Sequence, residues 1–167
     1  MLNKRLEEEL NKQINAEFYS AYLYLSMSSY LASKNLNGFS NRMKVQFEEE
    51  QAHGMKLFQF VLDRGGKVVL DKIDVPKLDW KNVVEVFEDT LEHEKKVTAM
   101  INNLINIAYE EKDHATVAEL QWFVTEQVEE EATVSDILDQ LKMIDGKGAG
   151  LFMLDREMKQ ITFKPIV

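Results

Sequence analysis

The sequence predicts an all-α fold: four long helices in a bundle, one long crossover between the second and third helices, and a short fifth helix. Only two prolines and seven glycines interrupt the 167 residues, which leaves few of the turns that a many-stranded sheet needs. The segments between these breakers are rich in Glu, Leu, Lys, Ala, Gln and Met, which favour helices. Apolar residues recur in them at intervals of three and four, the period of one helix face. The length suits one domain, residues 1–167.

The first helix is predicted from about Lys4 to about Lys34, with Asn3 as its N-cap. The second is predicted from about Gly38 to Arg64, because the glycine pair that follows ends a helix well. The residues expected to face the core are Leu6, Leu10, Ile14, Phe18, Ala21, Leu25 and Leu31 in the first helix, and Phe39, Met43, Phe47, Leu57 and Val61 in the second.

The third helix is predicted to begin after Asp79, and the fourth after Asp113, to end at Asp145–Gly146. The bundle then covers about residues 4–145, and a short fifth helix is expected from about Leu151 to Gln160. The core-facing residues are Val83, Phe87, Leu91, Val97, Ile101 and Leu104 in the third helix, and Val117, Leu120, Val124, Val134, Leu138 and Leu141 in the fourth.

The connections determine the topology. Short links join the first helix to the second and the third to the fourth, so each pair is expected to form an antiparallel hairpin. The link between the hairpins, GGKVVLDKIDVPKLD, is much longer. About 14 extended residues span ~46 Å, and a helix of about 30 residues is ~45 Å long. The link can therefore run the length of the bundle as a crossover.

Each apolar face is interrupted by polar residues near its middle, and the interruptions fall at one level of the bundle. Counted along antiparallel helices at about 1.5 Å per residue, they lie within roughly one helical turn of each other. These residues are Glu17 on the first helix, Glu50 and His53 on the second, Glu94 on the third, and Gln127 and Glu130 on the fourth.

A single glutamate on an apolar face is usually paired with Lys or Arg, or reaches out to solvent. No Lys or Arg occupies these faces near that level, however, and four unpaired buried carboxylates would cost several kcal/mol each. A bound pair of cations removes this repulsion. Several carboxylates with one imidazole suit iron or manganese better than zinc. Glu50 and His53, spaced i, i+3, can reach the same metal cluster.

Composition excludes several other classes. The formal charge of −9 argues against nucleic acid as a partner, because phosphate binding needs a basic face. The absence of cysteine excludes disulfides, thiolate zinc sites and iron–sulfur clusters, and mildly favours a reducing cytoplasm. No apolar run approaches the roughly 20 residues of a membrane span. The start, MLNKRLEEEL, is unlike a signal or transit peptide, so a cytoplasmic location is expected.

At this point the sequence resembles the ferritins, and specifically the bacterial non-haem ferritins. The resemblance covers almost the whole chain and rests on four motifs in order: QINAEFYSAYLYLSM, FEEEQAHGMK, LEHEKKV and WFVTEQVEEE. It implies a ferritin-like bundle that assembles into a homo-24-mer shell, and a ferroxidase that oxidises Fe(II) with dioxygen or hydrogen peroxide. Ferric mineral is then stored inside the shell.

The resemblance also implies roles for individual residues. Glu17, Glu50 and His53 hold one iron, and Glu50 bridges to a second iron that Glu94 and Glu130 also hold. Gln127 contacts the bound oxygen species or orients a neighbouring ligand. Tyr24 lies close to the irons as an auxiliary residue, and Trp122 is a similar candidate, although a packed aromatic is the alternative for both. A third iron lies nearby on the cavity side, held by Glu49, Glu126, Glu129 and Glu130; the alternative for the first three is a solvated acidic face.

Differences from related protein groups indicate which kind of ferritin this sequence resembles. Bacterioferritins repeat Glu-x-x-His on the fourth helix, where this chain has Gln127-x-x-Glu130, and their haem-ligating methionine aligns near Ala52, so no haem is expected. Rubrerythrins need cysteine ligands. Animal ferritins line their three-fold channels with an acidic pair, at positions that are Val117 and Leu120 here. His93 and His114 match no ligand position and are expected at the surface.

Two other functions remain open at the sequence level. A free-standing di-iron oxidase would share the site but not need the fifth helix, whose Leu151, Phe152, Leu154 and Met158 are expected to pack against neighbouring subunits. A structural or interaction bundle would take up no Fe(II).

Overall fold

The computed structural model describes residues 1–166 and contains five helices. They are α1 (Lys4–Ser33), α2 (Asn37–Asp63), α3 (Val83–Glu110), α4 (His114–Met143) and α5 (Gly148–Met158). No strand occurs within residues 1–166, so the all-α prediction is confirmed. None of the helices in this range is both long and apolar enough to cross a membrane.

Side-chain contacts between helices give the directions of the bundle. Arg5 on α1 contacts Glu110 on α3, whereas Met27 further along α1 contacts Thr90 near the start of α3, so α1 and α3 are antiparallel. On the other side, α2 and α4 are antiparallel, because Gln46 contacts Glu130 while Arg64 contacts Asp113. The two hairpins therefore place α2 and α3 parallel, which requires the long crossover.

The crossover runs along α1, as its length predicts. Asn11 Nδ2 donates to the carbonyl of Lys67 at 2.9 Å, and Asn11 Oδ1 accepts from the backbone N–H of Val69 at 2.7 Å. Further along, Ser26 Oγ donates to the carbonyl of Lys77 at 2.7 Å. These side chains satisfy backbone groups that have no sheet or helix partner, and they fix the segment against one face of α1.

Trp80 ends the crossover and explains where α3 begins. The indole is 5% exposed, lies 5.3 Å from the Tyr30 ring centre and donates from Nε1 to Asp89 at 2.8 Å. Asn82, not Asp79, is the N-cap, with Oδ1 accepting from Glu85 N at 3.0 Å. The predicted start after Asp79 was wrong because burial of Trp80 holds residues 80–82 out of the helix.

The start of α5 also differs from the prediction. The helix was expected to begin at about Leu151, yet Gly148 to Gly150 form the first turn of α5. Low helix propensity costs little in a first turn, where backbone N–H groups are unpaired in any case. Gly150 is needed there, because a Cβ on it would lie 2.8 Å from Ile144 Cγ2.

One side of α5 packs against the four-helix bundle of the same chain. Met158 belongs to the core, with Leu151 and Leu154 against it, so their predicted role in contacts between subunits is not supported by this packing. Phe152 and Met153 are 65% and 63% exposed. Leu25 was likewise expected in the core but is 38% exposed; Tyr24 takes the inward position three residues after Ala21.

The apolar core contains two large clusters with a polar band between them, and a small third cluster of Leu6, Ile107 and Ala108. One large cluster contains Tyr24, Met27, Phe39, Met43, Phe87 and Leu138. The other large cluster contains Leu10, Ile14, Leu57, Ile101, Leu120 and Phe123. Between them lie the middles of all four long helices, so the band is enclosed by apolar packing at both ends.

Candidate metal centre

The polar band contains every residue that the sequence predicts at the centre. Six residues are at least nine-tenths buried: Glu17 (1% exposed), Glu50 (2%), His53 (3%), Glu94 (1%), Gln127 (4%) and Glu130 (8%). Each long helix supplies at least one of them, as the common level predicts. Burial of so many ionisable groups requires specific compensation.

Glu17, Glu50 and His53 form the tightest group. Each offers one ligand atom, and these atoms lie within 4.8 Å of one another. His53 Nδ1 lies 3.5 Å from Glu50 Oε2, and Gln13 Nε2 donates to Glu17 Oε1 at 2.8 Å. The other Glu17 oxygen, Oε2, is buried with no hydrogen-bond partner among the described residues. Buried carboxylate oxygens are normally paired, so Glu17 Oε2 is a free ligand position.

Glu94 is oriented by hydrogen bonds from two helices. The Tyr24 hydroxyl on α1 donates to Glu94 Oε1. The Gln127 amide on α4 donates to Glu94 Oε2 at 3.1 Å and to the Glu94 carbonyl at 3.2 Å. Gln127 thus orients a neighbouring carboxylate, one of the two roles expected for it, and Tyr24 lies inside the band.

Glu130 is held by α2. Gln46 Nε2 donates to Glu130 Oε2 at 2.9 Å and to Glu50 Oε1 at 3.1 Å, so one amide joins two carboxylates. Arg42 Nη2 lies 3.8 Å from Glu130 Oε2. Glu130 is thus linked to Glu50 through Gln46, whereas the hydrogen bonds of Glu94 come from Tyr24 and Gln127.

Burial raises the pKa of each of these carboxyls. The pKa of Glu17 rises to about 8, chiefly from burial and then from the Glu50 charge. The pKa of Glu130 rises to about 7, from burial and then Glu94, while Arg42 opposes the rise. Burial also raises the pKa of Glu94 and holds that of Glu50 well above its ordinary value, with Glu94 and Glu130 adding to it.

These residues fit a pair of cations. Without cations the raised pKa of Glu17, about 8, keeps that carboxyl mostly protonated near neutral pH, and a cation that binds there replaces the proton. The donors are four carboxylates and one imidazole, a set that suits iron or manganese. Glu17 Oε2 has no other partner among the described residues, so it is available as an oxygen ligand for a cation that Glu50 and His53 also bind.

A second acidic region opens beside the band. A cleft of about 590 Å³ is lined by His53, Trp122 and the four residues expected at a third iron, Glu49, Glu126, Glu129 and Glu130. Arg42 and Lys164 line it as well. Burial raises the pKa of Glu126, and the Glu129 and Glu49 charges add to the rise while His53 opposes it. The structure therefore brings these four carboxylates to one cleft.

Sequence reasoning missed the polar partners of the centre. Gln13 and Gln46 each stand four residues before the glutamate they bind, an i, i+4 pairing that the sequence displays. Arg42 was missed because it precedes the apolar Met43 and is not itself one of the residues of the predicted apolar face. It is 6% exposed, and its guanidinium reaches Glu49 at 3.2 Å. The i, i+7 spacing of Arg42 and Glu49 places both on one helix face.

The two histidines outside the centre differ in burial. His114 is exposed, as expected. His93 is half-buried: its Nε2 lies 2.8 Å from Ser20 Oγ, its ring packs edge-on against Tyr24, and burial lowers its pKa to about 4. The expectation that His93 lies at the surface was wrong, because Ser20 and Tyr24 enclose one side of its ring.

Comparison with known proteins agrees with this geometry. The family model described as "Ferritin-like domain" matches residues 7–144. A bacterial non-heme ferritin from Bacteroides fragilis (strain 638R) is 42% identical over 160 residues, covering 96% of this chain and 99% of that protein. A bacterial non-heme ferritin from Staphylococcus aureus (strain MRSA252) is 37% identical over 163 residues, covering 98% of each. A solved open-pore ferritin from the archaeon Archaeoglobus fulgidus superposes with a TM-score of 0.96 at 48% identity, covering 97% of this chain and 100% of that one.

Proposed function

Because the chain belongs to the ferritin family, we propose that it stores iron, oxidising Fe(II) at a di-iron centre and depositing ferric mineral inside a shell of 24 copies. The observation that carries the oxidation step is the buried group of Glu17, Glu50 and His53, with the unpaired Glu17 Oε2. The relatives named as non-heme ferritins support the storage role.

Two neighbouring Fe(II) ions are the substrate in this proposal. Glu17, Glu50 and His53 bind one, and Glu50, Glu94 and Glu130 bind the other. Each ion loses one electron. The pair reduces one dioxygen to hydrogen peroxide with two protons, or one hydrogen peroxide to two waters with two protons.

The surrounding residues assist in defined ways. Anionic oxygen ligands favour Fe(III) over Fe(II), because the more highly charged ion gains more from them. Gln13 and Gln46 hold the carboxylates of Glu17 and Glu50 in place. The Glu17 carboxyl loses its proton when a cation binds, because its raised pKa of about 8 keeps it mostly protonated beforehand.

The oxidised product then leaves through the acidic cleft. Glu130 belongs both to the centre and to the cleft lining, so it offers one carboxylate to an ion moving between them. Glu49, Glu126 and Glu129 bind a third iron there in this proposal. We place the protein in the cytoplasm as a single ferritin-like domain without haem.

Replacing Glu50 and Glu130 together by Ala tests the centre. We expect the initial rate of aerobic Fe(II) oxidation, followed by ferric absorbance, to fall on the order of 100-fold or more, because ligands of both ions are lost. The control is Glu48→Ala with Asp139→Ala, which removes two exposed carboxylates from the same helices. An unchanged initial rate in an intact Glu50→Ala, Glu130→Ala assembly would exclude these residues as ligands.

A further inference from the structure

Arg42 is a buried cation at the boundary between the centre and the acidic cleft. It is 6% exposed and lies on α2, two turns before the Glu50 and His53 pair. Guanidinium Nη1 donates to Glu49 Oε2 at 3.2 Å, and Nη2 lies 3.8 Å from Glu130 Oε2. One side chain therefore engages a carboxylate of the open cleft and a carboxylate of the buried band.

The guanidinium of Arg42 offers only N–H donors and a positive charge, so it competes with metal ions for carboxylate oxygens. Four carboxylates line the cleft, and two of them already face this cation. Any metal ion bound by Glu49 and Glu130 would therefore share its ligands with Arg42 and be repelled by it. Glu17, Glu50 and His53 have no ion pair with Arg42 among the described residues, so the same repulsion is weaker at the ion that these three residues bind in the proposed centre.

Glu130 is also fixed by this arrangement. Gln46 and Arg42 both approach the same oxygen, Oε2, so the carboxylate is drawn toward α2 from two positions. The other oxygen, Oε1, has neither of these contacts. Arg42 thus influences which Glu130 oxygen is free for a metal ion.

We propose that Arg42 is a positioning residue that makes the acidic cleft a weaker iron site than the di-iron centre. By occupying Glu49 and Glu130 it keeps iron from being retained in the cleft, so that iron leaving the centre passes on to the interior. This inference rests on the proposed function, and it assigns to Arg42 the difference in affinity between the two iron sites.

Anaerobic titration of the purified full-length protein with Fe(II), followed by calorimetry, tests this. Fe(II) binding that is lost in Glu17→Gln is assigned to the centre, and binding that is lost in Glu126→Gln is assigned to the cleft. In Arg42→Gln we expect the dissociation constant of the cleft sites to fall roughly tenfold or more, because a unit positive charge a few Å away is removed. The dissociation constant of the ion bound by Glu17, Glu50 and His53 should change by less than about threefold.

Further variants separate electrostatics from folding. Arg42→Lys retains the charge and should bind Fe(II) in the cleft nearly as weakly as the wild type, whereas Arg42→Met should behave like Arg42→Gln. Arg64→Gln removes an equal charge from the far end of α2, where the arginine pairs with Asp113 at 2.8 Å, and should leave both affinities unchanged.

Two results would overturn the role of Arg42. One is an affinity of the cleft for Fe(II) that is the same in Arg42→Gln and in the wild type. This includes the case in which neither protein binds Fe(II) in the cleft. The other is an equal change at centre and cleft. Failure of the proposed function is distinguishable, because the wild type would then lack any Fe(II) binding that depends on Glu17, which would overturn both proposals.

Discussion

The Glu17 side chain illustrates how burial and chemistry are linked at the scale of one residue. It is 1% exposed, and one oxygen has no partner among the described residues. Burial and the Glu50 charge raise its pKa to about 8. The pKa of this carboxyl is therefore lower in the unfolded chain than in the folded one. Ionisation of Glu17 consequently lowers the free energy of unfolding of the metal-free protein.

This shift predicts how the stability of the metal-free protein depends on pH. Between the ordinary pKa of 4.5 and about 8 the folded state binds more protons than the unfolded state, so the free energy of unfolding falls as the pH rises through that range. Glu17→Gln removes this titration and should stabilise the metal-free protein at pH 8 by on the order of 3 kcal/mol. Thermal unfolding in a chelator at pH 5 and pH 8 measures it.

The matched control for that experiment is Glu8→Gln, an exposed glutamate on the same helix. It should not alter the pH dependence. Equal pH dependence in the Glu17→Gln and wild-type proteins would contradict the raised pKa of Glu17.

Periodicity alone was sufficient to predict that the glutamates of the centre are buried. Glu17, Glu50 and Glu94 each stand three residues after an apolar residue of the same face, and a rigid helix carries that spacing into the core. Arg42 could not be placed in this way, because a long side chain reaches well beyond the face on which its Cα lies. Which Glu49 or Glu130 oxygen it meets depends on tertiary packing.

At the scale of elements, the ends of helices were predicted less well than their middles. The middle of a helix repeats one pattern over many residues, whereas each end depends on a few local contacts. Burial of Trp80 moved the start of α3 to Val83, and packing on Ile144 accommodated Gly150 within α5. Neither contact is visible in the sequence, since both join residues through the fold.

The contact between the start of α2 and α5 is closer than those at Trp80 and Gly150. Asp155 Oδ1 accepts from the backbone N–H groups of Gly38 at 2.7 Å and Phe39 at 3.1 Å, and so caps α2, which has no side-chain cap of its own. A Cβ on Gly38 would lie 1.6 Å from the Asp155 carbonyl oxygen. Only glycine fits between these two backbones.

Gly38→Ala should therefore destabilise the protein by roughly 1–3 kcal/mol, although alanine favours a helix over glycine by about 1 kcal/mol. Gly54→Ala in the middle of α2 is the comparison, because a Cβ there would meet no backbone atom and only side-chain atoms, the Phe18 ring at 3.2 Å and Glu17 Cβ at 3.4 Å. Chemical denaturation of both variants measures the difference. A Gly38→Ala protein as stable as Gly54→Ala would show that the α2–α5 contact is not as close as described.

At the scale of the whole molecule, apolar side chains remain exposed on two surfaces. The crossover exposes Val69, Leu70, Val75 and Leu78 by 54%, 63%, 79% and 69%, and α5 exposes Phe152 and Met153. Exposed apolar groups of this kind are common at contacts between subunits. They support the proposed self-assembly, which the sequence predicted only through its resemblance to ferritins.

Iron storage, as proposed, requires both assembly of the shell and oxidation of Fe(II). Aerobic addition of Fe(II), followed by a sizing column and a count of iron per chain, measures both at once. We predict far more than three irons per chain, eluting with a species roughly 24 times the 19.4 kDa chain mass. Retention of only two or three irons per chain on a monomer or dimer would contradict storage and would indicate a free-standing di-iron oxidase.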